Sequence, residues 1–312
     1  MPAGTTASIV RVTDTELQIR EAIPARPVLQ QEAAGRGARL VVIEPARRWP
    51  RLDIAELWHY RELLLTFVWR DIKVRYKQTW IGVAWAILVP VFTLVVYVVI
   101  YGKFAKFPAG KLQSQYPVLV IGGLLPMQYF MSSLTGAGAS IVGGASLVSK
   151  VYFPRVLMPL AAVLTPIVDF VMALSVMIGV MAWYGAWPKG PIALLAPAFL
   201  ALALVTALGL GLFLSAVNVR FRDVQYAVPV FMQVLPLLSG VPFAVDRIPT
   251  KWQWILAINP MSTVITGWRW VILGGAAPDA RRTAISVAVV ILLFVVGLAF
   301  FRRSEPRFAD NI

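Results

Sequence analysis

"WRDIKVRYKQTWIGVAWAILVP", Trp69 to Pro90, decides how this chain is read. Its first half carries Arg70, Lys73, Arg75 and Lys77 with Trp69 and Tyr76 among them, and from Gln78 the sequence runs uncharged to Gly102. A basic, aromatic-studded segment thus opens directly into a stretch of the ~20 apolar residues that cross a bilayer core. Upstream, His59, Glu62, Thr66, Arg70, Lys73 and Lys77 recur at spacings of three and four, which sets them on one stripe of a helix. Ile54, Leu57, Leu64, Leu65, Val68 and Ile72 fall on the opposite face. The pattern predicts an amphipathic interface helix over residues 52–79, lying on the cytoplasmic membrane surface with its apolar face in lipid and its cations at headgroup level. A plain basic membrane anchor fits the same pattern.

Further uncharged stretches run from Leu112 to Ser149, Val156 to Pro188 broken only by Asp169, Gly190 to Val219, Val224 to Val245 and Thr283 to Phe301. Each is long enough to span a bilayer. With 59% hydrophobic and 14% charged residues against the roughly 25% charged of a soluble domain, the chain reads as an all-α integral membrane protein. Six transmembrane helices over residues 80–301 is the simplest count, between a polar tail at 1–51 and a short tail at 302–312. The first tail lacks the apolar core of a cleaved signal.

The net charge of +14 would suit nucleic acid, but its distribution reports orientation instead. Of 29 Lys and Arg, 20 lie before the first span, in the turns Gly143–Val156 and Asn218–Asp223, or after Phe301. The positive-inside rule then makes both termini cytoplasmic. Between the last two spans, Pro242, Pro249 and Pro260 interrupt an apolar, tryptophan-rich stretch. This predicts a pair of short re-entrant helices at about 240–275, a candidate lid or gate at the outer face. Ser132, Gly136, Ser140 and Gly144, and likewise Ala203, Ala207, Gly211 and Ser215, form small-residue ridges that suit close helix packing.

No cysteine and a single histidine, His59, exclude thiolate chemistry and argue against a metal site. No phosphate loop, HExxH or triad-like set is present, so enzymatic turnover by this chain is not expected. Asp169 is the lone acid within a span, about 20 Å past its cytoplasmic end at 1.5 Å per residue, with no cation in the same span. It reads either as an interhelical hydrogen-bonding group or as the centre of a proton relay. Trp85, Thr93, Tyr97 and Tyr101 make one aromatic, hydroxyl-bearing flank of the first span, which fits an interfacial belt or a stacking track for sugar rings. "SLVSKVYFPR", Ser146 to Arg155, and "NVRFRD", Asn218 to Asp223, read as topology determinants or as grips for a soluble partner.

"RELLLTFVWRDIKVRYKQTWIGVAWAILVP", "GLLPMQYF", "LVSKVYFPRVLMPL", "LSAVNVRFRDVQYAVP" and "INPMSTVITGWRWVILGG" occur in one order from about Leu52 to Phe301. Together they resemble the permease subunits of ABC-2 type polysaccharide exporters, which move O-antigen, capsule and teichoic-acid polymers. The resemblance implies a permease homodimer in the bacterial inner membrane, paired with two copies of a separate ATPase that binds ATP and Mg. It implies that this chain holds no cofactor of its own. It also implies a glycan on an undecaprenyl diphosphate carrier as substrate, admitted laterally between the first and fifth spans. Arg70, Lys73, Arg75 and Lys77 would then collect the diphosphate by charge-assisted bonds, with Trp69 and Tyr76 beside the first sugars. Arg75 lies off the main polar stripe. The resemblance assigns Lys150, Tyr152, Phe153, Pro154 and Arg155 to ATPase coupling. Met127 and Gln128 after "GLLP", and the stretch "SGVPFAVDRIP", depart from the family pattern near the gate. An ABC-2 exporter of drugs or simple lipids, a proton-coupled transporter using Asp169, and a glycan-handling membrane enzyme are the competing readings.

Overall fold

In lipid the backbone must satisfy its polar groups internally, and continuous apolar runs of this length do so as helices. The computed structural model describes residues 54–77, 82, 84–107, 115–188, 190–221, 223–245, 252–274 and 277–308, and these are helices joined by short turns. The tail at 1–51, the start of the first span at Trp80, Lys111, Pro249 and the last four residues lie outside the described residues.

In chain order the helices are α1 (Ile54–His59), α2 (Arg61–Lys77), α3 (Ala84–Tyr97), α4 (Tyr116–Gly143), α5 (Ala145–Lys150), α6 (Leu157–Leu164), α7 (Ile167–Tyr184), α8 (Ala196–Arg220), α9 (Val224–Leu238), α10 (Gln253–Ile258), α11 (Pro260–Leu273) and α12 (Ala280–Ser304). α3 continues through a wider-wound π-helical segment, Val98–Phe104. Among the described residues, five helical stretches are long and apolar enough to cross a membrane: Ala84–Phe104, Tyr116–Gly143, Leu157–Tyr184, Pro191–Arg220 and Ala280–Arg307. α9, in the expected fifth span, has 15 residues, or about 22 Å at 1.5 Å rise. It ends where Gly240 turns the chain at φ +83°, a conformation that excludes most side chains.

α4 is the centre of the bundle. Its residues from Val118 to Met127 are all buried, and it packs on α6, α7, α8, α9 and α11. Small residues set how close α8 comes. A Cβ on Gly211 would stand 2.5 Å from the Cβ of Ala137, and Ala203, Ala207 and Ser215 of the same ridge are fully buried. Asn218 locks the pair by donating to Gly138 O at 3.0 Å. The α4 ridge turns instead toward α6, where Gly136 meets Ala162 and Gly144 meets Met158.

The run from Leu157 to Tyr184 is two helices, because Pro166 carries no N–H and stops α6. α4 serves a carbonyl beside the break: Val163 O accepts from the hydroxyls of Tyr129 at 3.2 Å and Ser133 at 3.3 Å. α10 and α11 divide at Asn259-Pro260, as proline there predicts. Asn259 caps α11, its side-chain Oδ1 accepting from Met261 N at 3.0 Å and its Nδ2 donating to Ser239 Oγ at 2.9 Å. α11 is enclosed by α4, α8 and α12, with Met261 to Ile265 and Gly267 to Arg269 buried.

Part of the apolar face of α2 packs on protein. Phe67 is buried with its ring 5.5 Å from that of Phe153, and Leu57, Leu64 and Val68 pack into the same cluster, around Val156, Leu157 and Phe301. Leu65, Trp69 and Val74 stand exposed. The helical period identifies the apolar residues, but neighbouring protein competes with lipid for the face that carries the large ring.

α8 and α12 meet backbone to backbone, where a Cβ on Gly297 would fall on the carbonyl of Gly209. We expect Gly297→Ala to force these helices apart and lower the unfolding temperature of the detergent-solubilised protein by several degrees. Gly179→Ala, whose new Cβ meets nothing within 4 Å, should leave it unchanged in the same thermal scan.

Candidate functional site

A cavity of about 650 Å³ opens beside α3 and is closed by α2, α4, α7 and α9. Its lining is mainly apolar, with polar groups from Arg75, Tyr76, Thr93, Gln128, Asp169 and Gln233. That mixture suits an amphiphilic ligand, an apolar body with a few placed hydrogen-bonding groups.

The polar end is built by α2 and α7. Arg75 Nη1 donates to Asp169 Oδ2, and the Tyr76 hydroxyl donates to Asp169 Oδ1. Asp169 stands in the first turn of α7, because Pro166 restarts the helix just before it, and the positive end of a helix dipole favours a carboxylate. Partial burial, then the Asp169 carboxylate, push the Tyr76 hydroxyl well above the usual tyrosine range, so it remains a donor. The sequence offered no cation in the span of Asp169. The cation comes from α2, which packs along α6 and brings its last turn level with the start of α7.

One flank of α3 supplies the aromatic side. Trp85, Thr93 and Tyr97 line the cavity, four or eight residues apart on one helix face. Tyr101 does not line it but packs at a tilt against Tyr97 with ring centroids 5.1 Å apart, and the series continues through Phe107 at 5.2 Å to Phe243 at 6.0 Å. A Cβ on Gly102 would lie 2.7 Å from the Tyr116 ring, so the bare backbone there lets Tyr116 pass.

The remaining basic residues of α2 stay outside the cavity. Arg70 pairs with Asp71 at 2.8 Å and lies over Phe67, while Lys73 sits 5.3 Å from the Trp69 ring centroid. Lys77 and Trp69 are exposed. Arg75, the cation off the main stripe, is the one that faces the cavity. Of the two departures after "GLLP", Met127 is fully buried and Gln128 presents its amide to the cavity.

The turn from Lys150 to Arg155 divides sharply. Lys150 and Tyr152 are exposed, Tyr152 to 74%. Phe153 and Pro154 are buried. Arg155 turns inward, its guanidinium donating to Glu305 O and lying 5.9 Å from the Phe308 ring centroid, while Arg302 donates to the Glu305 carboxylate at 3.1 Å. The segment Glu305–Phe308 thus braces the turn from beneath.

Arg269 is a residue that periodicity missed. It is 7% exposed on α11 and donates to four backbone carbonyls: Leu119 at 3.0 Å, Gly240 at 2.9 Å, Val241 at 2.5 Å and Phe243 at 3.1 Å. Tyr116 donates to Pro242 O at 2.7 Å beside them. A lone arginine between two tryptophans in "GWRWV" was the available signal.

Residues 62–273 match the family described as ABC-2 type transporter. The chain belongs to that family. Among its relatives, the O-antigen export system permease protein RfbA of Myxococcus xanthus is 29% identical over 261 residues, covering 83% of this chain and 98% of that protein. A protein of the same name from Klebsiella pneumoniae is 28% identical over 80% of this chain and 94% of its own length. The polysialic acid transport protein KpsM of Escherichia coli is 22% identical, over 76% and 91% respectively. This ABC-2 protein is therefore an integral membrane permease, and its cavity lies within the span of the family match.

Replacing Arg269 by methionine keeps the volume and removes all the donors. Each buried carbonyl left unserved costs roughly 1–3 kcal/mol, so Arg269→Met is expected to lose a monodisperse fold in detergent, checked by size-exclusion chromatography.

Proposed function

We propose that this chain is the membrane subunit of an ATP-driven exporter of lipid-linked polysaccharide, O-antigen-like in class, acting as a homodimer with two copies of a separate ATPase. The observation that carries the proposal is its similarity, over nearly the whole length of each relative, to permeases named for O-antigen export. The cavity supports it with an anion-binding end, Arg75 and Tyr76, beside the flank of Trp85, Thr93 and Tyr97, with Tyr101 packed behind. Stacked rings with hydroxyls hold the apolar face of a sugar weakly enough to release it. Arg70, Lys73 and Lys77 act before the cavity, attracting the diphosphate of an undecaprenyl carrier to the surface where α2 lies.

In this reading the bacterial inner membrane holds six spans with α9 as the fifth, both termini are cytoplasmic, and α10 with the start of α11 forms the outer gate. ATP and Mg belong to the partner. The exposed Lys150 and Tyr152 make the ATPase contact, whereas Phe153, Pro154 and Arg155 shape the turn. Asp169 is engaged by Arg75 and Tyr76, which favours its reading as an interhelical hydrogen-bonding group over a proton relay. An exporter of drugs or simple lipids would have less use for the aromatic flank.

Cells lacking the protein should accumulate carrier-linked polymer inside and lose it from the surface, as read by fractionation and glycan blotting. Normal surface polymer in such cells would overturn the proposal. For the contact, Tyr152→Ala is expected to cut recovery of the ATPase in a pull-down by about tenfold, the scale of one interface anchor worth ~1.4 kcal/mol, with permease stability unchanged. Phe153→Ala, by contrast, empties a packed site and should lower stability itself, by roughly 3–5 kcal/mol.

A further inference from the structure

We infer that Asp169 is an internal surrogate for the substrate's anionic headgroup: its carboxylate occupies Arg75 and Tyr76 until a phosphate-bearing lipid displaces it. The inference rests on the substrate class proposed above and adds the device by which the site is held and released.

Three observations carry it. Arg75 and Tyr76 converge on one acceptor, each on a different oxygen of Asp169, and a phosphate presents equivalent oxygens to the same two donors. The pair is not sealed. The side chains of Arg75 and Asp169 are 39% and 28% exposed, and both line the cavity, so a ligand reaches the guanidinium without prior unfolding. Finally, the displaced carboxylate is not stranded. Asp169 is the third residue of α7, where the helix end favours an anion, whereas Arg75 on leaving Asp169 gains the ligand's charge. A guanidinium keeps its proton throughout, so the exchange swaps one anion for another with no proton moved.

The consequence has a sign. A site whose donors are engaged by Asp169 nine-tenths of the time binds an anion about tenfold more weakly than its intrinsic affinity. Removing the surrogate therefore tightens binding, opposite to the effect of removing a structural strut. The gain must also depend on Arg75.

The test uses the full-length permease in neutral-lipid nanodiscs, with farnesyl diphosphate as probe, inorganic diphosphate as the lipid-free headgroup and farnesol as the uncharged chain. Wild type is expected to bind farnesyl diphosphate, Arg75→Gln to bind it at least tenfold more weakly, and Asp169→Asn about tenfold more tightly. In the Arg75→Gln, Asp169→Asn double variant the gain should vanish. Asp279→Asn, which removes an exposed acid paired with Arg282 and absent from the cavity lining, should change nothing. Equal or weaker binding by Asp169→Asn, or a gain that persists without Arg75, overturns the exchange while leaving the proposed function intact. No effect of Arg75→Gln removes the headgroup site itself. Equal tightening for inorganic diphosphate identifies the headgroup alone as the ligand; tightening confined to farnesyl diphosphate identifies the lipid. If Asp169→Asn does not fold, Asp169→Ser removes the same charge and repeats the comparison.

Discussion

Everything in this bundle is referred to the close approach of α4 and α8. In lipid there is no hydrophobic gain from bringing two apolar helices together, so association depends on packing contacts and a few hydrogen bonds. Gly211 against Ala137, and the Asn218 amide on Gly138 O, provide both at one crossing. With α4 fixed, its other faces can receive α6, α7, α9 and α11, and the cavity is the space left on the side of α4 that no helix fills completely. A chain with bulkier residues along the α8 ridge would move α4 and with it Gln128 and Ser132 of the cavity wall.

A second constraint acts at the far end. Chain leaving the helical state inside a membrane protein must have its carbonyls served, and around Gly240–Phe243 Arg269 does so with a single fork of donors. A lysine could not replace it, having no planar fork to reach several carbonyls at once. Gly123 is part of the same arrangement, since a Cβ there would stand 2.5 Å from Arg269 Nη2.

The helical class, the break at Asn259-Pro260 and the aromatic flank of α3 were legible because each is local: charge absence over ~20 residues, a proline, a four-residue period. What escaped was long-range. The cation for Asp169 lies 94 positions away, on a helix whose polar stripe, judged by period alone, excluded Arg75. A long side chain near a helix end reaches well beyond its nominal face, so stripe membership predicts poorly what the last turn can touch. The partner of Arg155 was hidden in the same way, because nothing local foretells that Glu305, 150 positions on, folds back against it. Likewise the uncharged run from Val224 to Val245 gave no measure of where α9 would stop.

α2 now connects the two places where events in a transporter must meet. Its last turn holds Asp169 at the cavity wall through Arg75 and Tyr76, and eight residues before Arg75 the Phe67 ring rests on Phe153, inside the turn that exposes Lys150 and Tyr152. One 17-residue helix is stiff enough that a shift at one end must appear at the other, or be absorbed by the exposed segments beside it. The Phe67–Phe153 contact is apolar and close-packed, so it transmits displacement in either direction, whereas under the exchange inferred above Asp169 gives way to another anion on Arg75. A strong contact at the turn and an exchangeable one at the cavity is the asymmetry required if occupancy is to reach the turn without each cycle disrupting the fold. Coupling by this route needs no further wire through the bundle, only that α2 has two positions which the cavity and the turn both bias.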